Sequence, residues 1–402
     1  MLKNAQNKIY VALSGGVDSA VAAALLIKAG YDVTGVYMKN WSNDLGISEN
    51  CPWEKDVEDV RLVTEHLGIP WKVYNFEREY KERILDYFFA EYKAGRTPNP
   101  DILCNNLIKF DLFAQRAFSE GASHIATGHY ARRESMQGFA WEKQGRLGLY
   151  TALDASKDQG YFLQRLSSTQ LEKALFPLGN YYKSEARVMA KDLGLPNAAK
   201  KDSQGICFIG DVDVHDFIRK HLSVKPGNIV EQETGKRVGT HEGLWFYTIG
   251  QRHGIGVSSA DIPYFVVEKR VATNELIIAK GHHNPLLQHI KIQVSQLHAI
   301  SEPFYEEEEV LVSLRYREKP TKAKIEKLVN GTATLVSQET RKFWAPAAGQ
   351  GALIYQSGDT QKLAEIVVKV GNPDGLYKYF TDSETRGCVR YIQILGSGII
   401  EG

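Results

Sequence analysis

Apolar residues in the first 130 positions alternate between short continuous runs and helix-spaced patterns. Residues 9–13 form a continuous apolar run that predicts a buried strand, and residues 17–29 carry a helical pattern that Gly30 ends. The same reasoning predicts a strand at 33–38, a helix at 54–67, strands at 71–76 and 124–127, and a helix at about 110–119 between the last two strands. This alternation predicts crossover units on a parallel sheet, and therefore an α/β fold.

From about residue 228 the pattern changes to short β-rich runs separated by glycine, proline and asparagine. These runs are 245–249, 264–267, 275–279, 309–315 and 333–337. They predict small antiparallel β domains, the last of them barrel-like. We therefore expect three domains, which are an α/β domain at 1–212, a central β-rich domain at 213–288 and a C-terminal β-barrel domain at 289–402.

Length and composition are those of a multidomain globular protein. The 402 residues exceed the usual span of one domain, and 43% of them are apolar, which is enough to bury full cores. The sequence lacks the roughly 18 uninterrupted apolar residues of a membrane span. Only Met1 to Asn7 precede the first apolar run, which leaves no room for a signal peptide before it. We expect a cytoplasmic monomer that does not associate with membranes.

Charge and cysteine usage narrow the choice of partners. A net charge of +1 excludes a protein coated in basic residues, although residues 182–201 are locally basic and a nucleic-acid face remains possible. The run of glutamates at 306–309 is typical of a solvated face. The four cysteines, at 51, 104, 207 and 388, have no CxxC spacing, which favours neither a disulfide framework nor a zinc site. Such cysteines are inert hydrophobes or reactive thiols.

Residues 14–19 (SGGVDS) follow a predicted strand and open a predicted helix. Two glycines permit a tight turn, exposed N–H groups form an anion nest, and the helix N-terminus adds partial positive charge. The alternatives are a simple capped turn and a P-loop NTPase, whose GxxxxGK[ST] pattern is absent from the sequence. SGGVDS resembles the loop of the N-type ATP pyrophosphatases (PP-loop enzymes), which adenylate a substrate oxygen. The resemblance implies ATP as cosubstrate, and Asp18 is a candidate ligand for Mg²⁺.

Further segments resemble the tRNA-specific 2-thiouridylase family. In family order, they are 38–41 (MKNW), 95–105 (GRTPNPDILCN), 127–130 (TGHY), 157–159 (KDQ), 201–210 (KDSQGICFIG) and 250–252 (GQR), with a weaker match at 395–400 (LGSGII). This family replaces the C2 oxygen of a tRNA wobble uridine with sulfur. The resemblance therefore implies an ATP-dependent sulfurtransferase whose partners are tRNA and a sulfur donor, either a cysteine desulfurase or a relay protein.

The resemblance also assigns roles to two cysteines. Cys207 is the implied persulfide carrier, and Cys104 is the implied nucleophile that frees the sulfur and leaves a Cys104–Cys207 disulfide for reductants to reset. Direct attack of the persulfide on the base is an alternative route that the sequence leaves open. Asp101 is the candidate general acid/base. Without this context Cys104, which follows isoleucine and leucine, would be read as a buried hydrophobe, as Cys51 and Cys388 still are.

Ligand contacts follow from the same resemblance. The implied nucleotide contacts are Ala12, Leu13, Ser14, Gly15, Gly16, Val17, Asp18, Ser19, Met38 and Gly128. The implied tRNA contacts are Asn99, Pro100 and Asp101 at the target base, and Lys157, Asp158, Gln159, Arg315 and Tyr316 elsewhere. These residue types suit phosphate binding, base-edge recognition and stacking. Weaker candidates for phosphate contacts are Arg132, Arg133, Lys183, Arg187 and Lys200.

Departures from the family pattern are few. Asn106 and Leu107 replace a usual Lys-Glu pair, and residues 361–388 look like an insertion in the last domain. We expect residues 96–108 to reorder when tRNA binds, because glycine and prolines bracket a reactive segment. Two other functions use the same parts: a non-catalytic tRNA-binding protein of this fold, and an amidating PP-loop synthetase, which would need a source of ammonia.

Overall fold

The alternating patterns of the first half fold into a parallel sheet. The computed structural model describes residues 7–41, 53–135, 147–202, 214–259, 261–340, 342–357 and 393–401. The strands of this half are β1 (Lys8–Leu13), β2 (Asp32–Lys39), β3 (Trp71–Asn75), β4 (His124–Ala126), β5 (Arg132–Ser135), β6 (Leu147–Tyr150) and β7 (Ala174–Leu175). Within the described residues the sheet has the order β3-β2-β1-β4-β7, and its pairs are all parallel. The predicted α/β class is confirmed.

Helices of this half connect the strands. They are α1 (Val17–Lys28), α2 (Trp53–Leu67), α3 (Glu77–Tyr80), α4 (Asp86–Lys93), α5 (Pro100–Leu103), α6 (Phe113–Ser119), α7 (Gly160–Leu163), α8 (Ser168–Glu172), α9 (Lys183–Asp192) and α10 (Val214–His221). A π-helical segment, Lys81–Leu85, joins α3 to α4, and a second one, Cys104–Leu112, joins α5 to α6. The helix predicted from about residue 110 therefore begins ten residues earlier than expected.

Both faces of the sheet are buried, and β1 shows how. Its odd residues, Ile9, Val11 and Leu13, pack with side chains of α1 and α2. Its even residues, Tyr10 and Ala12, belong to a second cluster that contains side chains from the helical segments at 77–93 and 100–119. A strand covered on both sides reads as a continuous apolar run because successive side chains point to opposite faces.

The central β domain forms a separate small sheet. Its strands β8 (Gly227–Glu231), β9 (Arg237–His241), β10 (Tyr264–Arg270) and β11 (Glu275–Lys280) pair in the order β10-β11-β8-β9. The β8–β11 pair is parallel, so the expectation of a purely antiparallel domain was wrong there. The run predicted as a strand at 245–249 is also different, because its backbone closes local bonds, Phe246 N–H to the Gly243 carbonyl and Tyr247 N–H to the Leu244 carbonyl, in a short 3₁₀ turn.

The C-terminal part closes into a β-barrel. Its strands are β12 (Gln288–His289), β13 (Lys291–Ala299), β14 (Glu309–Ser313), β15 (Thr321–Val329), β16 (Thr332–Ser337), β17 (Phe343–Trp344), β18 (Gly351–Gln356) and β19 (Gln393–Ile400). Hydrogen-bonded neighbours run β13-β16-β15-β14-β18-β19, and β13 pairs again with β19, which closes the circle. The predicted C-terminal barrel is confirmed.

A hairpin of the first half extends the barrel sheet. Strand β5 pairs with β6, and β6 pairs with the barrel strand β19 through Tyr150 opposite Gln393 and Leu149 opposite Ile394. Leu149 and Ile394 are both fully buried in one core cluster that also contains residues of the parallel-sheet half. The barrel is therefore joined to the first half by backbone hydrogen bonds as well as by the chain. Among the described helices, none is long and apolar enough to cross a membrane.

Candidate active site

The glycine-rich loop lies between β1 and α1, as the sequence predicts. Gly15 has φ = +74°, and a Cβ there would lie 2.8 Å from the Asp56 carbonyl oxygen, so both conformation and space require glycine. The Ser14 backbone N–H donates to Ser19 Oγ at 3.2 Å, and that hydroxyl donates to the Gly16 carbonyl at 3.1 Å. Ser14 is exposed, so the loop opens to solvent beside the N-terminus of α1, where a phosphate group fits.

Gly128 lies against the start of the same helix. A Cβ at this position would be 2.7 Å from the Ser19 backbone nitrogen and 2.9 Å from the Asp18 carbonyl carbon. At Gly128 the segment after β4 therefore approaches the helix so closely that there is no space for a side chain. Ala12, Leu13, Val17 and Met38, the other predicted nucleotide contacts, have buried side chains, so it is their backbone that can face a nucleotide. This narrow cradle of glycines and backbone groups fits the phosphates of ATP.

Asp18, in the first turn of α1, carries the main charge at the loop. Lys183 Nζ lies 2.6 Å from Asp18 Oδ1 and 2.7 Å from Oδ2, and the Tyr130 hydroxyl donates to Oδ1 at 3.0 Å. Lys183 also lies 2.8 Å from Asp202, which receives Lys157 Nζ at 3.1 Å. Burial by itself would raise the pKa of Asp202, but the hydrogen bonds from the two lysines hold it well below its usual range.

The basic stretch at 182–201 folds around the loop. Arg187 pairs with Asp202, and Lys200 Nζ lies 2.8 Å from Asp56 and 2.6 Å from Asp59 in α2. Lys183, Arg187 and Lys200, predicted as phosphate contacts, are thus all ion-paired with carboxylates beside the nucleotide loop. No sequence signal predicts this arrangement, because each pair joins residues that are far apart or on different elements.

Two other phosphate candidates lie inside the protein. Arg132 and Arg133 in β5 are each 5% exposed. Arg132 donates to Glu134 at 2.7 Å, and Arg133 donates to the Glu172 carbonyl at 2.7 Å. These arginines are structural, and the expectation that they face phosphate or solvent was wrong. The two arginines are buried because the β5–β6 hairpin that carries Arg132 and Arg133 lies between the barrel and the first half.

Cys104 lies on the helix that starts at Pro100. Asn99 has an extended backbone, and its side-chain oxygen accepts the N–H groups of Asp101 (3.1 Å) and Ile102 (3.4 Å), while Pro100 occupies the first helical position. An asparagine cap followed by proline is a strong helix start. Asp101 is half-buried and Cys104 is 0% exposed, so the thiol is covered by protein in this state. The segment is helical in this structure.

Asn105 follows the cysteine and is 1% exposed. Its side-chain Nδ2 donates to the Phe162 carbonyl at 3.0 Å, which joins this helix to α7. Its Oδ1 is buried, and within the described residues it has no hydrogen-bond donor. On the next turn, Lys109 is 7% exposed, and its charge acts on His129. Burial first, and then the charge of Lys109, lowers the pKa of His129, which keeps that imidazole neutral.

The segment before Cys104 is held by the other two domains. The Thr97 N–H donates to the barrel carbonyl of Ala348 at 2.8 Å. A Cβ on Gly95 would lie 2.7 Å from Val271 of the central domain. Arg315, a predicted tRNA contact, donates through Nη2 to the carbonyls of Ile249 (2.7 Å) and Ala345 (2.9 Å), and so links the central domain to the barrel. Sequence reasoning did not identify this junction, since its contacts join residues that are far apart along the chain.

The remaining predicted tRNA contacts also have internal partners. Tyr316 lies with its ring centroid 4.7 Å from that of Phe162. Asp158 accepts the backbone N–H of Ala152 at 2.7 Å, and burial raises its pKa to about 6. Gln159 Oε1 accepts the Tyr130 N–H at 2.9 Å, so the segment Lys157–Gln159 supports the residues that surround Asp18.

Cys207, with 203–213 around it, lies outside the described residues, as do Cys51, Cys388 and the stretch 361–388.

Comparison with known proteins finds related families and chains. A family model described as the tRNA methyl transferase HUP domain matches residues 7–211, and one described as the tRNA methyl transferase PRC-barrel domain matches residues 215–280. The tRNA-specific 2-thiouridylase MnmA of Thiobacillus denitrificans is 46% identical over 353 residues, which is 87% of this chain and 96% of that protein. The proteins of the same name from Neisseria gonorrhoeae (44%) and Bacillus licheniformis (43%) each match 87% of this chain and 92% of their own length.

Solved structures are more distant. An NMN synthetase from Francisella tularensis is 18% identical with a TM-score of 0.30, covering 50% of this chain and 67% of that one. A 4-thiouridine synthetase–RNA complex with bound ATP is 19% identical with a TM-score of 0.32, covering 51% and 46%. No functional conclusion follows from similarity at this level.

The strand–loop–helix arrangement of SGGVDS on a parallel sheet, with its carboxylate in the first helical turn, defines a PP-loop protein of the ATP-using class. The family models and the near-complete alignment with curated relatives then settle the group within that class. The chain belongs to the tRNA-specific 2-thiouridylase family.

Proposed function

We propose that this protein is a tRNA-uridine 2-sulfurtransferase, which uses ATP to exchange the C2 oxygen of a wobble uridine for sulfur. The observation that carries the proposal is the presence, on one parallel-sheet domain, of a PP-loop and of an Asn99-capped helix that bears Asp101 and Cys104. An amidating enzyme would need the loop but not the cysteine helix. A non-catalytic tRNA-binding protein would need neither.

In the activation step the uridine O2 attacks the α-phosphorus of ATP. The O2–P bond forms, the bond from phosphorus to the bridging oxygen breaks, and pyrophosphate leaves. The base loses its N3 proton in this step, and Asp101, which is half-buried on the helix that bears Cys104, is the group that we propose takes it. Backbone N–H groups at the start of α1 hold the phosphates. Asp18 would hold Mg²⁺ beside the Lys183 ammonium, which lies against the same carboxylate.

In the transfer step Cys207 carries a persulfide. The Cys104 thiolate attacks its inner sulfur, which forms the Cys104–Cys207 disulfide and releases hydrosulfide. Hydrosulfide adds to C2, AMP leaves, and a reductant returns both thiols. In the other possible order, the outer sulfur of the persulfide attacks C2 before Cys104 attacks the inner sulfur. Both orders use the same two thiols.

The proposed partners follow from this cycle. A cysteine desulfurase or a relay protein loads Cys207, and tRNA contacts the residues at 99–101, 157–159 and 315–316. Arg315 and Tyr316 hold the barrel against its neighbours, so their contribution to tRNA binding includes shaping that surface. We further propose that the protein acts as a monomer in the cytoplasm, where reductants are available.

Sulfur transfer from a labelled donor to unmodified tRNA tests the proposal. The assay contains ATP and Mg²⁺ and compares wild type with Cys104→Ser and Cys207→Ser. We expect label in the tRNA with wild type only, while both variants still adenylate tRNA. Full activity in either variant would remove that cysteine from the mechanism. Incorporation of nitrogen from ammonia, with no sulfur transfer, would instead identify an amidating enzyme.

A further inference from the structure

The side chain of Asn105 has one satisfied end and one that is unsatisfied. Its Nδ2 donates to the Phe162 carbonyl at 3.0 Å, which fixes the orientation of the amide, since the reversed amide would put two acceptors together. Its Oδ1 then points away from Phe162, is buried, and has no donor within the described ranges 7–41, 53–135, 147–202, 214–259, 261–340, 342–357 and 393–401. A buried acceptor without a donor costs free energy, so its retention calls for a donor that binds there.

The position of Asn105 indicates which ligand supplies that donor. Asp101, Cys104 and Asn105 are spaced at i, i+3 and i+4, so they lie on one side of consecutive helical turns. The helix widens to a π-helical segment from Cys104 onward, a local geometry that is frequent at functional sites. The unsatisfied acceptor is therefore one residue from the thiol and one turn from the carboxylate to which the chemistry is assigned.

We propose that Asn105 is a specificity residue, whose side-chain oxygen accepts the N3–H of the target uracil. Uracil carries a proton on N3, next to the reacting C2, whereas cytosine presents a lone pair on N3. The Asn105 oxygen thus attracts uracil and repels cytosine at the atom beside the reaction centre. This inference rests on the proposed function and adds to it the basis for choosing one pyrimidine over the other.

The contact belongs to the base before activation. When O2 bonds to phosphorus, the N3 proton passes to Asp101 and the hydrogen bond to Asn105 ends. Asn105 therefore contributes to capture of the correct base and not to the later arrival of sulfur. Cys104 and Asn105 are 0% and 1% exposed, so the base reaches them only after their cover has moved. A movement that uncovers Cys104 for sulfur transfer would also act at Asn105, because the two residues are adjacent.

The test compares two variants on three RNAs. Asn105→Leu removes the acceptor at similar volume, and Asn106→Leu is the matched control on the next, half-buried position. The three RNAs are one tRNA with uridine, cytidine or N3-methyluridine at the target position. Dissociation constants are measured without ATP, and kcat/KM for thiolation is measured on the uridine tRNA.

We expect wild type to bind the uridine tRNA more tightly than both tRNAs that lack N3–H. Asn105→Leu should lower kcat/KM and affinity for the uridine tRNA roughly 10- to 100-fold, as for one good base contact. It should leave the affinity for the N3-methyluridine tRNA within about twofold and raise the affinity for the cytidine tRNA, because the repulsion is removed, and Asn106→Leu should change none of these values. The loss of preference for uridine is the signature that a merely structural role would not give.

Equal weakening of all three RNAs by Asn105→Leu, or an unchanged preference for uridine, would overturn the inference. If Asn105→Leu does not fold, wild type alone decides, because tight binding of the N3-methyluridine tRNA would contradict an acceptor at N3. Absence of thiolation by wild type would instead count against the proposed function. The two failures are thus distinguishable.

Discussion

The nucleotide loop and the cysteine helix are prepared for their ligands in opposite ways. At the loop, Asp18 is paired with Lys183 and Tyr130, and Asp202 with Lys183 and Lys157. At the helix, Cys104 is fully covered and the Asn105 oxygen is buried without a donor among the described residues. A site with its charges satisfied can bind a small, abundant ligand with little rearrangement. On the proposed function, a covered and incomplete site would be completed by the RNA, and the cover would protect the thiol until the RNA binds.

The Cys104→Ser substitution should distinguish the two regions most clearly, because it should affect sulfur transfer and not ATP binding. We expect sulfur transfer to fall at least about 1,000-fold, because the proposed nucleophile is lost. The dissociation constant for ATP should not change, since the loop is built from β1 and α1. Labelled-sulfur transfer and calorimetric ATP binding measure the two effects, with Asn106→Ala as control. Weaker ATP binding in Cys104→Ser would show that the two regions are coupled.

Gly128→Ala should produce the reverse pattern. The new Cβ would lie 2.7 Å from the Ser19 nitrogen, so the segment after β4 must move away from the start of α1. We expect ATP to bind roughly 10- to 100-fold more weakly, in line with the free-energy cost of overpacking. Calorimetry measures the affinity, and thermal unfolding shows that the fold remains. Unchanged affinity would mean that ATP does not depend on this close approach.

Asp158 predicts a pH effect near the cysteine helix, because it precedes α7, whose Phe162 holds Asn105. Burial raises its pKa to about 6, against a usual value near 4 in an unfolded chain. The folded protein therefore binds this proton more tightly than the unfolded chain does. The contribution of the bound proton to the free energy of unfolding, on the order of 2 kcal/mol, is lost as pH rises from about 4 to about 6.

Urea unfolding of wild type and Asp158→Asn at pH 4.5 and pH 7 isolates this contribution. Wild type should lose stability relative to the variant as the pH is raised. If wild type instead gained stability relative to the variant as the pH is raised, Asp158 would be ionised and paired in the folded protein.

The smallest effect concerns the paired charges of the loop. Lys183→Met removes a cation from Asp18 and Asp202, so we expect Mg²⁺-ATP to bind about tenfold more weakly, the loss of a charge-assisted contact. Added Mg²⁺ should recover part of the loss, because it can replace the ammonium at Asp18. Lys191→Met, an exposed residue on the same helix α9, is the control. No difference between the two variants would show that the ion pair does not serve nucleotide binding.

Sequence was a good guide where signals are local. The loop and its flanking elements were predicted at 9–13 and 17–29 and are found at Lys8–Leu13 and Val17–Lys28. The reason is that strand, glycine turn and helix are each specified by neighbouring residues. The start of the cysteine helix carried an equally local signal, an asparagine cap before proline, but it was not among the helices predicted from the sequence.

The parts that sequence missed are held by distant residues. Arg132 and Arg133 looked like surface cations and are buried because a hairpin joins the barrel. Lys183 and Asp18 are 165 residues apart, and the Thr97–Ala348 bond involves only backbone atoms. Patterns along the chain report which face of an element is apolar, and they do not report which elements meet. The Asn105 oxygen became informative only when its surroundings were known.

The pairing of β6 with β19 also sets an order of events during synthesis. Strand β6 ends at Tyr150, while its partner begins at Gln393, so the outer edge of β6 has no partner until nearly the whole chain has left the ribosome. Until then this edge is a template for pairing with other chains. A polypeptide that ends before residue 393 would therefore contain the nucleotide loop, but the outer edge of β6 would be unpaired. Cellular quality control could recognise such incomplete chains by the unpaired edge of β6, which the full-length protein does not expose.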